Sequence, residues 1–257
     1  MKLDKYIFIY CNMEEIVYHT NYKLENSYWW FIARNRIVMD ILNKFVKIEH
    51  HQQILDVGCG TGGFTKILLE KYDTIGLDTS PVAIEYCKKR GIKELFLGTL
   101  DEFPTTDFNI QAITILDVIE HIESDDAIVE QIYKTLPSNG WLIATVPAYK
   151  WLWSDHDVMA KHYRRYTKKN FVSLLKKHNF QIKYSSYFNT FLFIFAAFKR
   201  LYENLFLKKS KKIDPIDRVP LFIDKIFKSI FLAEKFFLLH IKKFPFGLSI
   251  LVIAKKI

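Results

Sequence analysis

The stretch Ile54-Leu55-Asp56-Val57-Gly58-Cys59-Gly60-Thr61-Gly62-Gly63-Phe64 decides the fold. A short apolar run breaks into glycines and then re-enters helix-forming sequence. Such a strand-to-helix turn permits a tight bend and a close approach of backbone to ligand. Gly58, Gly60 and Gly63 satisfy the G-x-G-x-x-G spacing of dinucleotide sites, a weak match taken alone. Electrostatics separates the alternatives. Asp56, at the strand end just before the glycines, repels a pyrophosphate and attracts a cation. Asp78, twenty-two residues on, ends the next apolar run and offers two oxygens to the two hydroxyls of a ribose.

Outward from this loop, residues 53–147 alternate β-rich and helical runs, the pattern of a parallel sheet with crossover helices. Strands are predicted at Gln53–Val57, Thr74–Leu77, Leu95–Leu97, Ala112–Leu116 and Trp141–Val146, then at Gln181–Phe188 and Leu248–Lys255. Helices are predicted at Thr65–Lys71, Pro81–Arg90, Asp125–Leu136 and 168–179, with Ser80 as N-cap, Pro81 in the first turn and Gly91 as stop. Residues 14–47 read as mostly helical and carry Tyr28-Trp29-Trp30-Phe31. The organisation expected is an N-terminal helical lid (1–48), an α/β ligand-binding domain (49–189 and 247–257) and a basic aromatic helical insert (190–246).

These motifs resemble those of class I S-adenosylmethionine-dependent methyltransferases, over about residues 25–189 and 247–255. The resemblance implies a Rossmann-like seven-stranded sheet, mostly parallel with the last strand antiparallel. It also implies a donor with a sulfonium, an ammonium and no phosphate. On the family pattern, Asp56, Gly58, Cys59, Gly60 and Gly62 meet its methionine half, while Asp78 and the adjoining Thr79 hold its ribose. Where the family carries an acid for adenine, this chain has Thr99, so backbone groups of Thr99 and Leu100 are expected to serve. Asp117, in the stretch Leu116-Asp117-Val118-Ile119-Glu120-His121, lines the floor of the site. More narrowly, Trp29-Trp30-Phe31-x-x-Arg34, the run from Val146 to Asp157 and His162-x-x-Arg165-Tyr166-Thr167 resemble a subgroup associated with surface-glycan and glycolipid pathways.

Methyl transfer is an in-line displacement that the protein assists by proximity and orientation. A hydroxyl acceptor also needs a base, and histidine titrates nearest neutrality. His156, past the fifth strand and flanked by Asp155 and Asp157, is the candidate base, with Asp157 as a candidate orienting acid. His121 is a second candidate; the structural alternative is a cap or a packing group beneath the cofactor. His162 and Arg165 suit an anionic acceptor, or Arg164 and Arg165 pair with Asp155, Asp157 or Asp117. Trp30, Arg34 and Trp151 are candidate acceptor contacts; the tryptophans serve equally as a hydrophobic lid. Cys59 reads as a small filler. No zinc spacing occurs, and Glu120-His121 alone makes no metal site.

The chain has 257 residues, 37 Lys+Arg against 28 Asp+Glu, and a net charge of +9. Its 50% hydrophobic content excludes disorder, and three scattered cysteines (Cys11, Cys59, Cys87) exclude a disulfide framework and read as reduced thiols in a cytoplasmic protein. Residues 1–12 lack a secretory cleavage pattern and read as an upstream extension before Met13. Residues 190–247 hold 12 Lys+Arg, 5 Asp+Glu and 12 of the 22 Phe, a local charge of 12 minus 5, or +7. Within them Leu221–Lys243 reads as one helix, with Asp224, Lys228, Lys235 and Lys242 in a polar stripe roughly 40° wide. Burial against the parent domain or a second copy accounts for the rest of its surface. The alternative is contact with an anionic membrane, Lys208, Lys209, Lys211, Lys212, Lys242 and Lys243 meeting headgroups. Nucleic acid is not expected, because the basic residues alternate with bulky aliphatic ones. The expected acceptor is a small or lipid-linked hydroxyl compound, with a quinone-ring or secondary-metabolite hydroxyl as runner-up. A scaffold that binds the donor without turnover is the competing class.

Overall fold

The structure, a computed structural model, describes residues 17–198, 219–240 and 243–257. The upstream extension with Cys11, and Lys208, Lys209, Lys211, Lys212 and Lys242, lie outside the described residues. One sheet holds strands β1 (Gln53–Val57), β2 (Asp73–Asp78), β3 (Leu95–Leu97), β4 (Ile110–Leu116), β5 (Trp141–Pro147), β6 (Phe180–Phe188) and β7 (Ser249–Lys256). Their order is β3-β2-β1-β4-β5-β7-β6. Strands β1 to β5 pair in parallel, and β7 runs antiparallel between β5 and β6. All seven expected strands are present, their ends displaced by two residues at most.

The helices are α1 (17–24), α2 (Trp29–Phe45), α3 (Gly63–Leu68), α4 (Pro81–Lys89), α5 (Asp125–Thr135), α6 (Asp155–Met159), α7 (Lys168–Lys177), α8 (193–198) and α9 (Leu221–His240). Helix α3 starts two residues earlier than expected, because Gly62 at φ +81° turns the chain straight into it. Ser80 caps α4, its hydroxyl accepting the Ala83 N–H, with Pro81 in the first turn. Alternation along the strands divides the core into two faces. Leu55, Val57, Ile113 and Ile115 pack with residues of α5 and α7, whereas Ile54, Ala112, Ile143 and Ile253 pack with residues of α2 and α9.

Helix α9 corrects the sequence reading of its polar stripe. Two of the stripe's described residues turn toward α2 instead of forming a solvent face. Asp224 accepts the Trp29 N–H at 3.0 Å, capping the start of α2 from almost two hundred residues away, and Lys235 pairs with Asp40 at 3.0 Å. Trp29 packs edge-on against Phe227 and Phe231. Only Phe231, Glu234 and Leu238 of α9 are buried, while Leu221, Phe222, Ile226, Phe236 and Phe237 are exposed. One side of α9 packs Phe227, Phe231 and Leu238 on the protein together with Asp224, Glu234 and Lys235, while a second apolar side, with Phe222 and Phe236, faces outward.

Glu234 carries this docking. Its carboxylate, fully buried, takes the Phe191 N–H at 2.6 Å on Oε1, with the amides of Asn189 and Thr190 close by, while Oε2 has no hydrogen-bond partner among the described residues. Burial outweighs those amides and pushes its pKa up to about 7. An acid titrating higher when folded favours the native state below its unfolded pKa, and that stability is lost as pH rises through the folded value. Glu234→Gln is therefore expected to flatten this component between pH 5 and 8. The difference in unfolding free energy between variant and wild type should change by up to about 3 kcal/mol over that interval, read by urea denaturation. A wild-type slope that the substitution leaves unchanged assigns it to other buried acids.

Candidate functional site

The site sits at the carboxyl ends of β1, β2, β4 and β5, where open parallel sheets place their ligands. Backbone geometry marks the same edge: Asp117, Tyr149 and Asn189 follow β4, β5 and β6 with φ of 57°, 57° and 56°. Left-handed residues other than glycine cost energy and gather at sites that need a particular exit direction.

In the glycine loop the amides are spent internally. Gly58 and Cys59 both donate to the Leu77 carbonyl, at 2.8 and 3.0 Å, and Gly62 donates to Cys59. Gly60 donates to Asp78 Oδ2 at 2.8 Å, and the Gly63 amide goes to Glu25. A pyrophosphate needs a cradle of free amides, so this loop does not fit one. It does fit a ligand read by shape and by acids. The Cβ position of Gly60 (φ +55°) meets nothing within 4 Å, whereas a Cβ at Gly58 would lie 2.5 Å from Val118. The first glycine therefore faces protein and the second faces open space.

Asp78 is 7% exposed, with Oδ1 accepting the Ser80 N–H at 2.9 Å and Oδ2 the Gly60 N–H. Burial raises its pKa, against the amides of Ser80, Gly60 and Thr79. Each oxygen retains a lone pair for a ribose hydroxyl, and Thr79, beside it, is exposed. Asp56 behaves differently from the direct contact expected. It is buried, and its oxygens accept the hydroxyls of Thr114 at 2.6 Å and Thr65 at 2.7 Å. Burial pushes its pKa up to about 6, against those two hydroxyls. Its negative charge thus acts through space, from behind the loop. Spacing gave no signal for Thr65 and Thr114, which hold it. Cys59 is buried against Cys87, sulfur to sulfur 3.8 Å, in keeping with a filler.

Of the two backbone groups expected to meet adenine, the first is engaged elsewhere. The Thr99 N–H is not available, because both it and the Thr99 hydroxyl donate to Glu102 Oε2, at 2.8 and 2.7 Å. Glu102 closes a local turn on the residue that replaces the family's acid. Leu100 is buried in the core beneath.

Beyond β4 and β5 the histidines are arranged otherwise than their neighbours in sequence suggest. Asp157, fully buried, turns its carboxylate to His162 and Arg165. Its Oδ1 meets His162 Nδ1 at 2.9 Å and accepts from Arg165 Nε at 2.6 Å. Its Oδ2 accepts from Arg165 Nη2 at 3.0 Å and from the Ser154 N–H and hydroxyl. Burial raises the Asp157 pKa, but the hydrogen bonds of His162 and Arg165 and the Arg165 charge outweigh it and hold the acid well below the carboxylate range. His156 is exposed, its ring edge-on to His162 at 6.1 Å. His121 meets His162 edge-on at 4.5 Å; desolvation first, and His162 next, push it down to about 4.

The expected acceptor contacts divide. Arg165 is committed to Asp157 and to the Ala148 carbonyl. Arg164 ties down the carbonyls of Ile122 and Glu123. Arg34 is buried, paired with Asp117 at 3.2 Å and lying over Trp30, so it fixes the lid to the floor. Trp151 is 46% exposed and packs on Tyr149 and on Phe193 of α8. The start of the insert therefore touches the loop that borders the site.

A family model described as a methyltransferase domain matches residues 30–184. Phosphoethanolamine N-methyltransferase 3 of Arabidopsis thaliana is 32% identical over 103 residues, 37% of this chain and 21% of that protein. Ubiquinone biosynthesis O-methyltransferase of Rickettsia conorii is 30% identical over 96 residues, 35% of this chain and 33% of that one. The chain thus spans a third or less of these relatives. A solved S-adenosylmethionine-dependent methyltransferase from Thermotoga maritima superposes with a TM-score of 0.57 at 15% identity, covering 94% of this chain and 100% of that one.

Proposed function

Because the chain belongs to the methyltransferase-domain family, with S-adenosylmethionine as its methyl donor, we propose that it methylates a hydroxyl of a lipid-linked sugar or similar amphiphile at a membrane surface. One observation carries the reading. Large apolar side chains are exposed on both α9 (Phe222, Phe236, Phe237) and α8 (Ile194, Phe195, Phe198), Phe191 just before α8 packs on Phe237, and Phe193 of α8 packs on Tyr149 and Trp151 at the edge of the site. A soluble surface seldom presents so many large apolar side chains together. With a local charge of +7 they suit an anionic bilayer better than water. Among the described residues no helix is long and apolar enough to cross a membrane. The relatives are named for both nitrogen and oxygen methylation, so the hydroxyl acceptor rests on the candidate base His156. The donor lies over Gly60 with its ribose on Asp78, and His156 takes the acceptor's proton.

The reading is tested with labelled donor and acceptors extracted from membranes and presented in anionic vesicles. The wild type should float with the vesicles and label an organic-phase product. A triple variant, Phe195→Ser, Phe222→Ser and Phe236→Ser, should keep its donor affinity and lose at least ~10-fold of both readouts, since each buried phenylalanine contributes about 1.5–3 kcal/mol. Equal flotation and transfer by the two proteins removes the membrane; label only in water-soluble product removes the lipid.

A further inference from the structure

Glu120 has no role in the argument so far, and its placement is unusual. The side chain is 1% exposed, and its Oε2 has no hydrogen-bond partner. An unsatisfied buried carboxylate oxygen is costly, so something is expected to occupy its free side. Two histidines stand there. One ligating atom each from Glu120, His121 and His162 lie within 4.8 Å of one another. The His162 ring is held from behind by an acceptor, Asp157 at 2.9 Å from Nδ1, and the His121 ring stands edge-on to it at 4.5 Å. Metal-ligating histidines show this arrangement, in which an outer acceptor fixes the tautomer and turns the other nitrogen inward. The Asp157 that orients His162 is in turn clamped by Arg165 and Ser154, and the Tyr163 N–H donates to the Glu120 carbonyl at 2.7 Å, joining the two loops.

We propose that Glu120, His121 and His162 bind a divalent transition-metal ion such as zinc, manganese or iron(II). Two imidazoles and one carboxylate are the donors of borderline ions, and three protein ligands leave positions open for a water or an acceptor oxygen. The ion would sit beside Asp117 at the end of β4, on the face where the acceptor enters. Its chemical part rests on the hydroxyl acceptor proposed above. An acceptor hydroxyl bound to the ion becomes more acidic and gives its proton to His156. The oxygen lone pair then forms the bond to the methyl carbon, and the carbon–sulfur bond breaks with its electron pair going to sulfur, leaving neutral S-adenosylhomocysteine.

Cobalt(II) serves as the probe, because its visible absorption reports ligand number without any acceptor. The metal-free protein should take up one equivalent with a low-coordinate spectrum, displaced by zinc. Glu120→Gln and His121→Ala should each weaken uptake by about 10²-fold or more while leaving thermal unfolding and donor affinity near the wild type. Uptake that is equal in all three proteins, or absent from the wild type, overturns the site. Stoichiometric uptake with chelator-insensitive transfer overturns the chemical role alone. Uptake is measured without an acceptor, so its outcome is independent of whether the acceptor is a lipid.

Discussion

Replacing Asp78 with alanine is expected to weaken S-adenosylmethionine binding by 10²–10⁴-fold, on the order of two charge-assisted hydrogen bonds at ~1.5–3 kcal/mol each. The unliganded protein should unfold at nearly the wild-type temperature. Burial holds the Asp78 pKa above its ordinary value, so the carboxylate is not favoured by the empty fold, and removing it relieves a desolvation cost. That relief offsets the amides of Gly60 and Ser80 left without an acceptor. Titration calorimetry beside thermal unfolding separates the two effects. A loss of affinity below ~10-fold shows that the ribose rests elsewhere; a large fall in melting temperature shows that Asp78 mainly braces the loop.

Replacing Asp157 with alanine should do the opposite, costing about 3–5 kcal/mol of stability, because removing one partner of a buried ion pair strands the other. Arg165 loses a two-point contact, His162 its orienting acid, and Ser154 the acceptor of both its amide and its hydroxyl. The depressed pKa keeps the carboxylate ionised through neutral pH, so titration of Asp157 itself should not change the cost between pH 5 and 8. Urea denaturation at both values checks this. A loss under 1 kcal/mol shows that water substitutes for the carboxylate.

The two replacements also mark what was legible in the sequence. Asp78, the glycines, Ser80-Pro81 and the strands are local features, where residue type and spacing fix backbone shape and the chain direction does the rest. The role of Asp157 was legible in part: its pairing with Arg165 is one of the alternatives the sequence offered, whereas its contact with His162 was not. Beside His156 in the sequence, it looks like that ring's partner, yet consecutive residues on a helical turn point about 100° apart. The capping turn at Ser154 aims the carboxylate at His162, five residues on. Helix α9 misled for a related reason. Its periodicity defines a polar side, but not which side faces protein; that depends on Asp40 and the Trp29 amide, contributed by a distant helix. Similarly, Glu120-His121 suggests no ligand cluster until a loop forty residues later supplies His162.

Strand β7 has a consequence for biogenesis. It lies between β5 and β6, so neither can complete its hydrogen bonding until residues 249–256 have left the ribosome. At roughly 5–20 residues per second, the sixty residues after β6 take about 3–12 s to make. For that time the nascent chain displays two open strand margins together with its phenylalanine-rich stretch, which makes the polypeptide a client for chaperones before the sheet closes.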